Sequence, residues 1–279
     1  MTRLCLTSWN IQWARGIDGQ VNCERIASEI AAVDPDVICL QEVASGMPDL
    51  PGADGSNQFD IFARLFPDYR LIAGPGVETF DSDGGARLFG NAILSRLPII
   101  SVRRHALPWI ADGAQTMPRL LLEVIVVTAC GPVRMMTTHL DYFSAAARAA
   151  QLEAIRTILV ETQARAHAMP KPASGPYLEV GHPVATVLCG DFNMPPESDL
   201  WPILTEAGPG FSPLVDSWRV LHKEAHPPSF CITEQVYGPP QCTDYVLTNA
   251  DLAKQVTGIH YDVATRSSDH QPVTVEFRI

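Results

Sequence analysis

Short apolar runs punctuate the chain at Leu4–Trp9, Val37–Leu40, Ala92–Leu94, Leu120–Val127, Val133–Thr138, Val184–Cys189, Tyr245–Leu247 and Val273–Phe277. Runs of this length between turn-forming residues predict strands, several of them buried. Two helical patterns stand out. Asn22 is placed to cap a helix whose apolar face is Ile26, Ile30 and Val33, and Ser144 to cap a longer one carrying Leu152, Ile155 and Leu159. Ala92–Leu94 with Ile99–Val102, and Leu120–Val127 with Val133–Thr138, are each joined by a short turn containing Pro98 or Gly131-Pro132, the spacing of antiparallel hairpins. The pattern as a whole predicts an α/β sandwich with mixed sheets. Met169–Pro183, with four prolines, and the acidic, turn-rich Gly74–Arg87 read as surface loops, the first of them flexible. Neither looks like a linker, so 1–279 reads as a single domain.

Composition narrows the class. With 279 residues, 46% hydrophobic and 18% charged, the chain has enough apolar surface to offset the entropy of ordering, which excludes disordered and fibrous classes. The most apolar stretch, Leu120–Cys130, contains Glu123 and is far shorter than the ~20 residues a membrane-spanning helix needs. The opening MTRLCLTSWN reaches polar residues before a signal-length apolar region develops, so it reads as a first strand, and a cytoplasmic monomer is expected. Seven cysteines without a C-x-x-C pair read mostly as small core residues in a reducing compartment. A net charge of −11 repels polyanions, which disfavours long nucleic acid without excluding it.

Candidate chemistry lies in five polar clusters at the ends of these runs: SWN at 8–10, QEV at 41–43, THLD at 138–141, GDFN at 190–193 and SDH at 268–270. Strand ends are where α/β folds present their sites. In an extended backbone Asp191 and Asn193 share a face, as do His139 and Asp141. Taken singly, each cluster has an ordinary explanation: a solvated strand-end carboxylate, an Asx turn, a satisfied histidine. Together they form a donor set of Asn, Glu, Asp and His without thiolates, suited to Mg²⁺ or Mn²⁺ and to metal-assisted attack at phosphorus.

The ordered set LTSWNIQW, DVICLQEV, FGNAILSRLPI, TTHLD, LCGDFNMPPES, TDYVL and SSDHQPV resembles the endonuclease/exonuclease/phosphatase superfamily over nearly the whole chain. The resemblance implies a DNase I-like fold, a four-layer α/β/β/α sandwich with two mixed, mostly antiparallel sheets. It also implies a Mg²⁺- or Mn²⁺-dependent hydrolase of phosphodiesters or phosphomonoesters. Residue by residue, it implies Glu42 as principal metal ligand with Asn10 and Asp269 beside it, and Asp191 as the group that orients or deprotonates water. It further implies Asn193 as a donor to the nucleophile or phosphate, His270 paired with Asp244 at the phosphoryl oxygens, and His139 on the leaving-group side. Asn91 matches a substrate-facing family position.

Arg148 and Gln151, three apart on the second helix, read as structural hydrogen-bonding residues. Cys242-Thr243 stands before Asp244 where many relatives carry an arginine and an aliphatic residue, which puts a local salt bridge or phosphate contact in doubt. Arg87, Arg96, Arg103, Arg104 and Arg119 are candidates for a basic strip that would favour a DNA or RNA nuclease. The segment around Trp109 and Ile110 offers a sphingomyelinase-like phospholipid phosphodiesterase if exposed, although a role covering the core edge is the expectation for Trp109. A catalytically silent phosphate-binding scaffold is disfavoured because every expected position holds a competent residue.

Overall fold

The computed structural model describes residues 2–168, 173–178, 181–233 and 238–279. In chain order the strands are β1 (Arg3–Asn10), β2 (Val37–Ser45), β3 (Arg70–Phe80), β4 (Ala86–Ser95), β5 (Ile99–Ala106) and β6 (Leu120–Thr128), then β7 (Gly131–His139), β8 (Thr186–Asp191), β9 (Leu214–Asp216), β10 (Asp244–Asn249), β11 (Val256–Tyr261) and β12 (Val273–Arg278). They form two six-stranded sheets, ordered β11-β12-β1-β2-β4-β3 and β5-β6-β7-β8-β10-β9. The principal helices are α1 (Cys23–Val33), α2 (Gln58–Leu65) and α3 (Ala145–His167).

The layers follow from strand alternation. On β2, Val37 and Cys39 join a core with Leu122, Val124 and Met135 of the second sheet, while Ile38 and Leu40 meet Ile26 and Ile30 of α1 and Phe59 and Phe62 of α2. Both faces of β2 are therefore dry, which is why its sequence is continuously apolar. On the far side, Leu152, Ile155 and Leu159 of α3 belong to the core that covers the second sheet. The order is α/β/β/α, as the resemblance implied. Both caps form: Asn22 accepts the Arg25 amide at 2.8 Å and Ser144 accepts the Ala147 amide at 2.9 Å. Val33, assigned above to the buried face of α1, is instead exposed at the last turn.

Pairing is antiparallel throughout the two sheets except at two places. β1 runs parallel to β2 through α1, and β7 runs parallel to β8 through α3. Each parallel pair sends both carboxyl ends to one edge, aligning Asn10 with Gln41 and His139 with Asp191. The second pair is tight. Gly190 has φ +135°, and a Cβ on it would lie 1.9 Å from the Thr138 carbonyl oxygen, so only glycine lets the strands meet here.

Two expectations fail for identifiable reasons. Ala92–Leu94 does not pair with Ile99–Val102, because both edges of β4 are already taken by β2 and β3. The chain instead crosses to the second sheet, where β5 pairs with β6. The crossing is held by Arg96, which bonds Asp34 at 2.5 Å and Asp36 at 2.9 Å. Gly74–Arg87 is not one surface loop, since β3 runs through it as far as Phe80. Gly76 serves close approach and not a turn: a Cβ there would stand 2.7 Å from the Pro118 carbonyl. The hairpin of β6 and β7 forms as expected. Of Met169–Pro183, residues 169–172 and 179–180 lie outside the described residues; Gly175–Tyr177 forms one 3₁₀ turn. Six of the seven cysteines are buried, and Cys130 is exposed.

A buried ion pair ties three strands of the second sheet. Glu123 on β6 accepts Arg134 Nε of β7 at 3.0 Å and bonds His105 Nε2 of β5 at 2.9 Å. Burial alone would raise the Glu123 pKa, but the His105 bond and Arg134 outweigh it and hold it below the usual value. A depressed carboxylate contributes stability above its unfolded pKa of about 4.3, lost as pH falls through the lower folded value. Acid unfolding of the wild type should therefore steepen below about pH 4. Glu123→Gln should lose about 3 kcal/mol at pH 7 and flatten that acid limb, measured by urea unfolding at several pH values.

Candidate active site

The carboxyl ends of β1, β2, β7 and β8 meet where the sheets converge, and β10 adds Asp244, aligned with Asp191 in an antiparallel pair. Asn10 sits at the centre. Its amide nitrogen donates to Glu42 Oε1 and to Asp191 Oδ2, each at 3.0 Å, while its oxygen accepts the Gln12 backbone amide. Asp191 Oδ2 also lies 3.5 Å from His139 Nε2 and 3.6 Å from His270 Nε2. Asp191 Oδ1 accepts the Asn193 amide at 2.9 Å, fixing the turn after β8. Gln12 Nε2 reaches Asp269 Oδ2 at 2.8 Å. A cleft of about 280 Å³ opens above this floor.

His270 is held from behind. Its Nδ1 lies 2.8 Å from Asp244 Oδ2, which also accepts Ser229 Oγ at 2.7 Å and Thr243 Oγ1 at 3.0 Å. Thr243, the departure from the family pattern, thus supplies a donor to the carboxylate that orients the histidine. Phe230 stacks on the imidazole at 4.5 Å.

Charge in the cleft is unbalanced. Burial, and then the nearby Asp269, pushes Glu42 up to about 7. Burial raises Asp191 to about 6, against the pull of His270, and raises Asp269 too. Glu42, Asp191 and Asp269 bring carboxylate oxygens to one cleft, donor chemistry that suits a hard divalent ion. Glu42 and Asp269 both line the cleft. Asp191, Asp244 and His270 also bring ligand atoms within 4.8 Å of one another, but Asp244 and the His270 Nδ1 are occupied with each other. The histidines diverge. Burial, with Arg119 and His270 nearby, holds His139 well below its ordinary pKa. Burial likewise opposes the charge on His270, but Asp244 and Asp191 outweigh it and lift its pKa well above the ordinary value.

Backbone conformation marks the same place. Of seven non-glycine residues with positive φ among the described residues, four line the cleft: Gln12, Trp13, Glu42 and Asn193. Glu42 owes its φ of +59° to an irregularity in β2, where the register against β4 shifts between Leu40 and Val43.

The structure thus brings Asn10, Glu42, His139, Asp191, Asn193, Asp244, Asp269 and His270 together. Asn193 turns its amide nitrogen to the Leu140 carbonyl at 2.9 Å. Asn91 stands apart from the main cleft, in an adjoining recess, donating to the Leu120 carbonyl at 2.9 Å. Arg148 bonds the carbonyls of Asp141 and Tyr142, and Gln151 accepts the Asp141 amide, so both brace the loop after β7. Of the five arginines read as a basic strip, Arg87 pairs with Asp49, Arg96 with Asp34 and Asp36, Arg104 donates to the Ala73 carbonyl, and Arg119 is buried in the cleft wall. Trp109 does not cover the core edge and is 62% exposed. Aromatic walls, including Trp13, Phe89, Tyr142 and Phe230, went unread in the sequence because only the fold brings them to one cleft. Arg119 and Gln12 had a local signal, each lying beside a strand end.

The sequence matches the Endonuclease/Exonuclease/phosphatase family over residues 7–270. The chain belongs to that family. No curated protein sequence matches it. Among solved structures it resembles an endonuclease/exonuclease/phosphatase from Beutenbergia cavernae at 24% identity, covering 100% of this chain and 72% of that one with TM-score 0.70. It resembles mannosyl-6-phosphatase of Bacteroides thetaiotaomicron at 16% identity, covering 99% and 100% with TM-score 0.70. It also resembles D. rerio TDP2, solved with a single-strand DNA product, at 18% identity, covering 100% of both chains with TM-score 0.64. These likenesses establish the DNase I-like fold. Endonuclease/exonuclease/phosphatase members are hydrolases acting on phosphoester bonds, and this chain has their architecture.

The Asp244–His270 contact is directly testable. Asp244→Asn removes the strongest influence raising the His270 pKa, so that pKa should fall. Imidazole titration by NMR, with His139→Gln as background, measures it.

Proposed function

We propose that the chain is a divalent-metal-dependent phosphoesterase that hydrolyses a phosphodiester or phosphomonoester by in-line attack of water. What carries the reading is the meeting of Asn10, Glu42, Asp191 and Asp269 with His139 and His270 at a single cleft. Glu42 and Asp269 would hold Mg²⁺ or Mn²⁺, joined by Asn10 once its amide turns its oxygen inward. The ion would neutralise phosphate charge and polarise the P–O bond. Asp191, on the floor between Asn10 and both histidines, orients the attacking water and takes its proton. His270, kept charged by Asp244, faces the phosphoryl oxygens, and His139 stands on the leaving-group side with its proton exchangeable. Asn193 adds a donor at the nucleophile. A small substrate fits better than a long polyanion, because the net charge is −11 and Arg87 and Arg96 are already paired.

Bis-p-nitrophenyl phosphate and p-nitrophenyl phosphate, each with Mg²⁺ and with Mn²⁺, test the reading. The wild type should turn over at least one of them and stop when the ion is chelated. Asp191→Ala should lose about 10²–10⁴-fold. Turnover that survives chelation or the substitution would overturn the reading.

A second reading, a phospholipid phosphodiesterase, is favoured by Trp109 and Phe143, each 62% exposed, with Phe143 at the cleft itself. The Trp109 loop and the loop before α3 are joined by a hydrogen bond between Asp112 and Ser144. Under this reading Trp109→Ala should weaken co-sedimentation with phosphatidylcholine and sphingomyelin vesicles several-fold. Unchanged co-sedimentation would remove it. Among the described residues no helix is long and apolar enough to cross a membrane.

A further inference from the structure

Arg119 is the one arginine among the described residues that lines the cleft, and it has no ordinary structural explanation. The residue is only 8% exposed, yet its Nε and Nη1 have no hydrogen-bond partner among the described residues. Burying a guanidinium without a partner is costly, and the usual remedy is a carboxylate or carbonyl in contact. The other sheltered arginines each leave one nitrogen unpartnered but still hold direct partners: Arg134 has Glu123 and the Pro183 carbonyl, and Arg148 has two carbonyls. Arg119 feels Glu42, Asp141 and Asp191 only through space, and burial still pulls its pKa down.

Its backbone, in contrast, is firmly placed. The Arg119 carbonyl accepts the Leu107 amide at 2.9 Å, and Asn91 Nδ2 holds the next carbonyl, that of Leu120, at 2.9 Å. Gly76 lets β3 press against Pro118 and the Arg119 Cα, so closely that a Cβ on the glycine would have no room. The side chain lines both the main cleft and the recess shared with Asn91 and His139. A fixed backbone carrying an unpaired, sheltered guanidinium is the arrangement of an anion receptor.

We propose that Arg119 is a phosphate-anchoring residue that grips a non-bridging oxygen of the substrate phosphate from the His139 side of the cleft, with Asn91 as its positioning residue. The description of the anion as substrate rests on the phosphoesterase reading. Anion binding by Arg119 does not.

The test compares wild type, Arg119→Met, Arg119→Lys and Asp191→Ala. Binding of inorganic phosphate is measured by calorimetry in chelator, turnover on p-nitrophenyl and alkyl esters, and melting temperature by scanning. Arg119→Met should weaken phosphate binding at least tenfold and lower kcat/KM by about 10²–10³-fold, equally for good and poor leaving groups. Arg119→Lys should recover part of both. Asp191→Ala should retain phosphate binding. The melting temperature of Arg119→Met should equal or exceed the wild-type value, because an unpaired buried charge is removed. A lower melting temperature with phosphate binding and turnover unchanged would overturn the proposal and make Arg119 structural. So would a wild type that binds no phosphate. If the wild type binds phosphate through Arg119 but hydrolyses no ester, the phosphoesterase reading falls and the anchor stands. If the wild type turns over and Arg119→Met matches it in binding and rate, the anchor alone falls.

Discussion

Parallel pairing at two places in otherwise antiparallel sheets is the constraint on which the site depends. Antiparallel neighbours send their carboxyl ends to opposite edges, so hairpins alone bring only every second strand's carboxyl end to a given rim. β1 with β2, and β7 with β8, break that rule once per sheet, each through a helical crossover. Because the two sheets pack face to face, both pairs end at a common edge. Asn10 and Glu42 arrive from one sheet, His139 and Asp191 from the other. Gln41 joins the sheets just below, donating to Thr137 Oγ1 at 2.8 Å in a fully buried setting. Gly190 then lets β7 and β8 close up so that His139 and Asp191 stand side by side.

The electrostatics follow from that crowding. Carboxylates drawn together out of water raise one another's pKa, and cations and hydrogen-bond donors relieve them. Asp244 and Asp191 favour the charged form of His270 while burial disfavours it at His139, so position alone divides two identical side chains. The fold thus pushes the two histidines in opposite directions within one cleft.

The sequence was most legible where local and global signals agree. Asn22 and Ser144 cap as read, β1, β2, β6, β7, β8, β10 and β12 lie on their apolar runs, and the polar clusters at the strand ends meet. Legibility failed where a residue's meaning depends on its neighbour across space. The glycines at 74 and 76 look like turn residues and are in fact points where β3 passes close to the second sheet. Ala92–Leu94 and Ile99–Val102 look like a hairpin, and nothing local reveals that β4 has no free edge. Arg119 looks like one of five surface arginines until its burial is known. Asn91 matches a family position, and its hydrogen bond to the Leu120 carbonyl is one that no spacing in the sequence discloses.

The left-handed residues around the cleft limit how this chain can change. Each holds a backbone shape that glycine would adopt without strain, at a cost of about 1 kcal/mol or more. Glycine at Glu42 or Asn193 would relax the backbone and erase the side chain that faces the cleft.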